Sequence, residues 1–184
     1  LNVTFGYGDK PVLVDVTFHA RPGTVTAIVG PSGSGKTTIA RLISRFWDVD
    51  SGAVMVDGVD IRELGTEQLM SRLSMVFQDV YLFDDSLIAN IRVGRPDASD
   101  EEVFRAADLS GVTSIANRLG WHTPVGEGGR LLSGGERQRV SVARALLKQA
   151  PIVLFDEATS ALDAENEANI LAAMDELREQ STFI

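Results

Sequence analysis

The segment GPSGSGKTT, residues 30–38, sets the class of fold to which this chain can belong. It matches the pattern G-x-x-x-x-G-K-[ST] and lies between the apolar segment TVTAIV, residues 24–29, and a helical pattern from about Lys36 to Arg45. Glycines in such a loop let backbone N–H groups close around phosphate oxygens. A strand that leads through this loop into a helix predicts a nucleotide-binding α/β domain.

The residues of this loop, named here the P-loop, have separate expected roles. Lys36 is expected to reach the β- and γ-phosphates as a point charge, and Thr37 to offer its hydroxyl to Mg²⁺. The alternative interpretation, a glycine-rich turn with a surface lysine, is weaker because the motif lies between a strand and a helix. The candidate nucleotide-binding residues of the P-loop are Gly30, Ser32, Gly33, Ser34, Gly35, Lys36, Thr37 and Thr38.

Composition narrows the class of protein. The length of 184 residues and the hydrophobic content of 44% suit one domain, residues 1–184, with a sizeable core. The formal net charge of −9 argues against bulk binding to nucleic acid or to an anionic membrane surface. The absence of cysteine excludes disulfides and a thiolate metal site. Without an apolar run of roughly 18 residues or a visible signal peptide, the sequence favours a cytosolic setting.

Apolar patterns predict the strands. The opening segments alternate and predict an antiparallel pair, and Asp57-Gly58 predicts the turn of a further hairpin. The segments LSMVF, residues 73–77, and IVLF, residues 152–155, are typical of buried strands, and another strand begins at residues 181–184. The alternating positions are Leu1, Val3, Phe5 and Tyr7, followed by Val12, Val14, Val16 and Phe18.

Helical periodicity fills much of the second half of the chain. It extends from about residue 86 to residue 119, where Ser99 and Glu102 predict a capping box, and again over residues 136–149. Asp163 is placed to cap a last helix. Strands with helices between them indicate a parallel α/β core, to which the opening hairpins and the middle helical block are additions.

The segment IVLFDE, residues 152–157, supplies a partner for the P-loop. Its apolar strand ends at Asp156, which is placed to hold Mg²⁺ through water, and Glu157 follows directly. Enzymes with a P-loop act mostly by positioning and charge neutralisation, with one residue orienting the attacking water. We expect Glu157 to be that general base; the alternative is a helix N-terminal acid that interacts with the helix dipole.

A second phosphate cradle lies in LLSGGERQRV, residues 131–140, where a Ser-Gly-Gly turn leads directly into a helix. Together with FDEATSALD, residues 155–163, it resembles the ATP-binding cassette (ABC) family, and the resemblance covers essentially the whole chain. It implies a signature motif, a Q-loop glutamine, a D-loop and an aromatic residue that stacks on adenine. A simple helix cap is the alternative for the Ser-Gly-Gly turn. The signature motif corresponds to Ser133, Gly134, Gly135 and Glu136, and the Q-loop glutamine corresponds to Gln78. Asp163 corresponds to a residue of the D-loop, and Tyr7 corresponds to the aromatic residue that stacks on adenine.

The family resemblance implies a fold and a mode of action. The fold is α/β, a P-loop NTPase with a RecA-like parallel-sheet core, an antiparallel β-subdomain and a helical subdomain inserted at about residues 80–145. Two cassettes of this family dimerise head to tail, so that each ATP lies between the P-loop of one subunit and the signature motif of the other. The physical interpretation agrees, because two helix N-termini can hold one γ-phosphate from opposite sides. The implied catalytic residues are Lys36, Gln78 and Glu157, and the implied Mg²⁺ contacts are Thr37, Gln78 and Asp156.

The segments VFQDVYLFDDSLIANIRVGRPDAS and DEATSALDAENE resemble cassettes of exporter-type transporters, in which the cassette follows a membrane domain on one polypeptide. Such cassettes receive coupling helices of the membrane domain after the Q-loop. Tyr81, Leu82 and Phe83 lie in this region and fit either an apolar docking patch or the core. The implied partners are a second cassette and a transmembrane domain, with no nucleic acid, at the cytoplasmic face of the cell membrane.

One loop departs from the exporter pattern T-E-V-G-E-[RK]-G. Pro124 and Gly128 stand where that pattern has charged residues, whereas Glu127 matches it. This departure weakens the expectation that the loop makes the usual coupling contacts. The local sequence also resembles actinobacterial siderophore-import transporters that have an exporter-like architecture.

Several residues keep an alternative interpretation. Tyr7 is either the adenine-stacking residue or an ordinary strand aromatic, and Leu13 is a weaker candidate for the wall of the adenine pocket. Gln78 either contacts Mg²⁺ and water or ends a strand. Trp47 is interpreted as a core or interface residue rather than a cofactor contact.

The family resemblance also implies a switch histidine after the strand that begins at residues 181–184. The sequence ends at Ile184, before that position, so we expect a C-terminally truncated domain that binds nucleotide and hydrolyses it poorly. Two other function classes stay open. One is a soluble ABC-type ATPase acting on DNA or ribosomes, although the sequence has neither heptads nor a basic face. The other is a non-catalytic module that dimerises when nucleotide binds.

Overall fold

The structure is a computed structural model that describes residues 1–77, 79–156, 175 and 181–184. The described strands and helices follow in this order: β1 (Val3–Gly6), β2 (Pro11–Val16), α1 (Lys36–Ile43), β3 (Met55–Val56), β4 (Val59–Asp60), α2 (Thr66–Arg72), β5 (Leu73–Val76), α3 (Leu87–Arg92), α4 (Asp100–Leu109), α5 (Thr113–Leu119), α6 (Gly134–Lys148), β6 (Ile152–Phe155) and β7 (Thr182–Phe183). Short 3₁₀ helices lie at Ile61–Glu63 and Glu127–Gly129.

The core sheet is parallel and has the strand order β5-β6-β7. Leu73 pairs with Ile152 and Val76 with Phe155, while Ile152 pairs with Thr182 on its other side. The central strand β6 is the IVLF segment, and its middle residues are buried because helices and neighbouring strands cover it. The strands predicted from LSMVF, IVLF and STFI are therefore confirmed.

The strand predicted at residues 24–29 is largely wrong. The structure has only a bridge there, in which Val25 pairs in parallel with Phe183. The Thr26 N–H donates to the Phe183 carbonyl at 2.8 Å, and Val29 is 88% exposed. A strand needs a continuous row of backbone partners. Ile184, the residue after β7, pairs with β6, because its N–H donates to the Val153 carbonyl at 3.0 Å.

The opening hairpin pairs β1 with β2 in antiparallel fashion, as predicted. Its buried face differs from the predicted alternation, because Leu13 is buried and Val14 is 66% exposed. The ladder has register shifts, and Asp15 adopts a φ of 51°. A bulge of this kind adds a residue to one strand and moves the following side chains to the other face.

The second hairpin, β3 and β4, turns at Asp57 and Gly58 as predicted. Their φ angles are 52° and 79°. A type I′ turn needs positive φ at both central residues, which an Asp-Gly pair adopts at little cost. This turn is therefore a local property of the sequence.

Helices α3 and α4 pack against α6, α5 packs against α4, and together they form the larger hydrophobic core. Its fully buried members include Leu87, Ile91, Val103, Ile115 and Val140. The predicted capping box at α4 is confirmed on both sides. The α6 helix begins two residues earlier than predicted, since its N-cap residue is Ser133 and the two glycines already form its first turn.

A buried polar network attaches the segment before α3 to α6. The Asn90 side chain donates to the Phe83 carbonyl at 3.0 Å and accepts from the Phe83 N–H at 2.9 Å. The Arg144 guanidinium donates to the backbone carbonyls of Asn90, at 2.7 Å, and of Tyr81, at 2.9 Å. Burial lowers the pKa of Arg144 to about 10, so this guanidinium stays charged at neutral pH.

No helix in the described part of the chain is long and apolar enough to cross a membrane.

Candidate functional site

The P-loop ends in the first turn of α1. Gly35 is the N-cap residue with a φ of 95°, and Gly33 also has a positive φ, 79°. The Lys36 ammonium group donates to the carbonyls of Gly30 and Pro31, at 3.0 and 3.1 Å, and so lies over the mouth of the loop. The first turn of α1, all of which is described, contains no acidic residue. The positive end of the helix and the lysine therefore both favour an anion.

Packing beneath the loop explains why Gly35 must be glycine. A Cβ at this position would lie 2.7 Å from the Cδ2 atom of Leu13. Leu13 itself is buried in a small core with Val3, Phe5 and Leu42. The expectation that Leu13 forms a wall of the adenine pocket is therefore wrong, since its side chain supports the P-loop from the core side.

We expect Gly35→Ala to destabilise the protein by about 2 kcal/mol more than Gly33→Ala. Both substitutions place alanine at positive φ, which costs about 1–2 kcal/mol, but only Gly35→Ala adds overpacking of about 1–3 kcal/mol. The Cβ of an alanine at position 33 would meet no atom of the described residues within 4 Å. Calorimetric unfolding without nucleotide measures the difference. Equal destabilisation by the two variants would contradict the proposed contact with Leu13.

Three aromatic rings lie beside the P-loop. The Tyr7 ring makes perpendicular contacts with Phe5, at a centroid distance of 5.0 Å, and with Trp47, at 5.6 Å. The Tyr7 hydroxyl lies 3.5 Å from the Thr38 hydroxyl, at the limit for a hydrogen bond. Tyr7 and Trp47 are both about half exposed. This placement suits stacking on a base whose phosphates lie in the P-loop, and Trp47 belongs to this cluster although the sequence indicated a core or interface role.

The oxygen atoms available for Mg²⁺ come from two places. The Thr37 hydroxyl is exposed in the first turn of α1, and Asp156 directly follows β6, where its N–H donates to the Val76 carbonyl at 3.0 Å. The described residues contain no group of three or more His, Cys, Asp or Glu side chains that could hold a metal. One hydroxyl and one carboxylate suit Mg²⁺, which prefers oxygen, keeps several waters and takes further ligands from substrate phosphates.

Three candidate residues lie outside the described residues. Gln78 follows β5 by two positions, Glu157 follows Asp156 directly, and Asp163 lies six residues beyond. Their roles therefore stay predictions.

The signature segment is the N-terminus of α6. The Ser133 hydroxyl accepts from the Glu136 N–H at 3.2 Å, and the Glu136 carboxylate accepts from the Ser133 N–H at 2.8 Å. This cap uses the hydroxyl as an acceptor, so its O–H proton is suited to donate to an anion. Gly134 and Gly135 occupy the first two helical positions, and their lack of side chains leaves the helix end open.

Arg118 on α5 is the ionic partner of this helix end. Its guanidinium contacts the second oxygen of the Glu136 carboxylate. Burial raises the pKa of Glu136, but the hydrogen bonds from the Ser133 N–H and from Arg118 outweigh burial and lower it. Sequence reasoning missed Arg118, since nothing in the sequence relates it to a glutamate 18 residues later.

The two phosphate cradles have different neighbours within the chain. The P-loop packs against the opening hairpin through Leu13 and Tyr7. The signature end of α6 packs beside α5 through Arg118. Each cradle is one helix N-terminus that can surround only one side of a phosphate group.

The segment after the Q-loop position divides between core and surface. Leu82 is fully buried, whereas Tyr81 and Phe83 are more than half exposed and stack perpendicularly at 5.6 Å. The glycine-rich loop before α6 lies against this segment, since a Cβ at Gly129 would meet Leu82 at 2.8 Å. Leu82 therefore belongs to the core and Tyr81 and Phe83 form an exposed aromatic pair, while a docking role for that pair stays a prediction.

Comparison with known proteins shows the family of this chain. Residues 13–160 match the family model described as ABC transporter. The chain is 54% identical over 174 residues to the mycobactin import ATP-binding/permease protein IrtB of Mycolicibacterium smegmatis, covering 94% of this chain and 30% of that protein. It is 48% identical over 186 residues to the mitochondrial iron–sulfur clusters transporter ATM1 of Yarrowia lipolytica, covering 100% of this chain and 26% of that protein.

A solved structure shows the same fold. The chain superposes with a TM-score of 0.94 on the structure of a bacterial Atm1-family ABC exporter with ATP bound, with 46% identity, covering 100% of this chain and 32% of that one. The chain thus spans about a third or less of the proteins it matches. The expected P-loop NTPase fold, with its parallel sheet, antiparallel hairpins and helices, is confirmed. The chain therefore belongs to the ABC transporter family, as one of its ATP-binding ATPase domains.

Proposed function

We propose that this domain is the ATP-driven motor of an exporter-type membrane transporter and works as a head-to-tail dimer. One ATP, with Mg²⁺, lies between the P-loop of one cassette and the signature end of α6 in the other. The observation that carries this proposal is the pair of open helix N-termini with separate neighbours. Because each surrounds one side of a phosphate, two chains are needed to enclose the nucleotide.

In the proposed site each residue acts on a stated part of the nucleotide. Lys36 binds the β- and γ-phosphates, Tyr7 stacks on the adenine, and the N–H groups of the α6 N-terminus with the Ser133 hydroxyl bind the γ-phosphate across the dimer. Thr37 and Asp156 would hold Mg²⁺, which would supply neutralisation of phosphate charge. Glu157 accepts a proton from water as the water oxygen bonds to the γ-phosphorus and the bond to the ADP oxygen breaks.

The proposed partner of the exposed aromatic pair, Tyr81 and Phe83, is a transmembrane domain. Relatives of this chain are ATP-binding/permease proteins, which combine both parts in one polypeptide, and this supports such a partner for this chain. The buried Arg144 network holds the backbone of this pair on α6, the helix that carries the signature. A rigid connection of this kind would move the docking surface together with the ATP site. The proposed location is the cytoplasmic face of the cell membrane, with no role for nucleic acid at a net charge of −9.

Mixing two inactive variants tests the shared site. Lys36→Ala disables the P-loop and Ser133→Arg disables the signature, so each homodimer lacks both working sites. A mixed dimer restores one site, because the intact P-loop of one chain faces the intact signature of the other. When complete polypeptides assemble at random, about half of the dimers are mixed, and each mixed dimer has one working site of its two. The mixture should therefore retain about a quarter as much ATP as the wild type.

Recovery in the mixture supports the composite site, and its absence contradicts it. Retention of ATP without phosphate release in the wild type would instead favour a non-catalytic dimerisation module. Turnover that depends on added DNA or ribosomes would favour a soluble ABC-type ATPase. The control is the mixture of each variant with itself, which should retain no ATP.

A further inference from the structure

Two helices of this domain begin with the same arrangement of a serine, a glutamate and an arginine. At α4, Ser99 and Glu102 form a capping box with hydrogen bonds of 2.8 and 3.3 Å, and Arg95 contacts the free oxygen of the Glu102 carboxylate. At α6, Ser133 and Glu136 form a box with bonds of 2.8 and 3.2 Å, and Arg118 takes the place of Arg95. The two arrangements share these contacts but differ in the residues that follow the cap and in the position of the arginine, so one serves as a control for the other.

The first turn of each helix shows what differs. In α4 the two residues after the cap are Asp100 and Glu101, whose carboxylates occupy the positive end of the helix. In α6 they are Gly134 and Gly135, and Glu136 is the one acidic residue of that turn. An open helix N-terminus attracts an anion, whereas an acidic first turn repels one.

Glu136 therefore creates an electrostatic conflict at the α6 N-terminus. Its carboxylate lies within the first turn, where it binds the Ser133 N–H and opposes the approach of a second negative group. The Glu136 side chain is only 17% exposed, compared with 51% for Glu102, so water screens its charge less. Since its pKa is lowered, Glu136 is ionised at neutral pH.

We propose that Arg118 is a positioning residue for ATP-driven dimer closure, which neutralises Glu136 so that the α6 N-terminus can bind the γ-phosphate held by the partner cassette. This inference rests on the proposed function of the signature motif. Arg118 acts through Glu136, which it contacts, and it lies on a different helix, α5. The ion pair thereby links the orientation of α5 to the charge of the phosphate site.

A purely structural role for Arg118 makes a different prediction. The Arg118 side chain is 52% exposed, so water screens this end of the ion pair, and its loss should destabilise the fold by at most about 1 kcal/mol. The capping box does not need the charge either, because glutamine at the third helical position closes the box as glutamate does. Removing the carboxylate charge by Glu136→Gln should therefore remove the need for Arg118.

The experiment measures how much ATP closes the dimer in complete polypeptides carrying Glu157→Gln, the variant expected to retain bound ATP. Radiolabelled ATP that stays bound through gel filtration is recorded against MgATP concentration at 50 and 300 mM KCl. The variants are Arg118→Ala, Glu136→Gln, both together, and Arg95→Ala as the matched control. Thermal unfolding is recorded for each one.

Arg118→Ala should raise the half-saturating MgATP concentration about fivefold at 50 mM KCl, which corresponds to about 1 kcal/mol. This rise in the half-saturating MgATP concentration should shrink to about twofold at 300 mM KCl, since salt screens the charge of the Glu136 carboxylate that Arg118 no longer neutralises. The half-saturating MgATP concentration of the double variant should lie within about twofold of the value for Glu136→Gln alone. Arg95→Ala should lower thermal stability as much as Arg118→Ala while leaving the MgATP dependence unchanged.

Two results would overturn the inference. One is a MgATP dependence of Arg118→Ala equal to that of the protein with Arg118 intact. The other is a defect that Glu136→Gln does not rescue and salt does not reduce, which would assign Arg118 a structural role. Failure of the proposed function is distinguishable, because then the protein with Arg118 intact would itself retain no ATP at any concentration.

Discussion

Lys36→Ala should abolish measurable binding of MgATP, with a loss of affinity of at least about a hundredfold. Removing one member of a desolvated charge pair costs about 2–5 kcal/mol, and every 1.4 kcal/mol is a factor of about ten in affinity. The Lys36 ammonium group already lies over the P-loop, with hydrogen bonds of 3.0 and 3.1 Å to its carbonyls. Phosphate oxygens are stronger acceptors for this group than neutral carbonyls. Isothermal titration calorimetry with MgATP measures the loss.

A matched variant distinguishes the contact of Lys36 with phosphate from a general effect of positive charge on α1. Arg41→Ala removes one positive charge from the same helix, at its last turn and away from the loop. It should change MgATP affinity by less than about twofold, because an exposed charge more than one turn away is largely screened. If Lys36→Ala bound MgATP as tightly as Arg41→Ala, the assignment of the P-loop as the phosphate site would be wrong.

Glu157→Gln should lower ATP turnover by about a hundredfold to ten-thousandfold and leave MgATP affinity nearly unchanged. Glutamine is close to glutamate in size but cannot accept the proton of the attacking water, and proton transfer contributes about that factor. ATP would then persist in the closed site, so the variant should accumulate as an ATP-bound dimer. The ADP produced per cassette and the molecular mass in saturating MgATP are the two measurements.

The control for this variant is Glu67→Gln, which removes one carboxylate from the first turn of α2. Turnover and assembly should stay at the wild-type values, because that helix carries none of the candidate site residues. A Glu157→Gln protein that remains monomeric in saturating MgATP would argue against both the general-base role of Glu157 and the role of ATP in closing the dimer.

The aromatic cluster shows how far sequence reasoning reaches at the nucleotide site. The family resemblance pointed to Tyr7, and the structure places its hydroxyl 3.5 Å from Thr38 of the P-loop. Trp47 makes a perpendicular contact with the same ring, although it lies 40 positions later in the sequence. Only a folded chain brings such residues together, since nothing in the local pattern around either residue encodes the contact.

Residues 81–83, after the Q-loop position, show the same division. Three consecutive apolar residues gave no alternation from which to separate the buried from the exposed ones. The structure buries Leu82 and exposes Tyr81 and Phe83, because Asn90 and Arg144 bind the backbone on either side of Leu82. That network joins residues 54 positions apart and was not predictable from either segment alone.

Local features of this protein follow from sequence alone, because short-range geometry determines them. Such features are the left-handed glycines of the P-loop, the Asp57-Gly58 turn, the two capping boxes and the apolar central strand. Each depends on dihedral preference, a hydrogen bond across three residues, or continuous burial.

Tertiary structure alone decided which face of β2 is buried, where the strand before the P-loop loses its partners, and which charge neutralises Glu136. The register shift between Leu13 and Val16 changes which side chains of β2 face the core, and among the described residues the segment before the P-loop pairs with β7 through the single bridge at Val25. Arg118 reaches Glu136 because the fold places α5, which packs on α4, within side-chain reach of the start of α6. These properties depend on which distant backbone or side chain lies opposite a residue, and a one-dimensional pattern carries no such information.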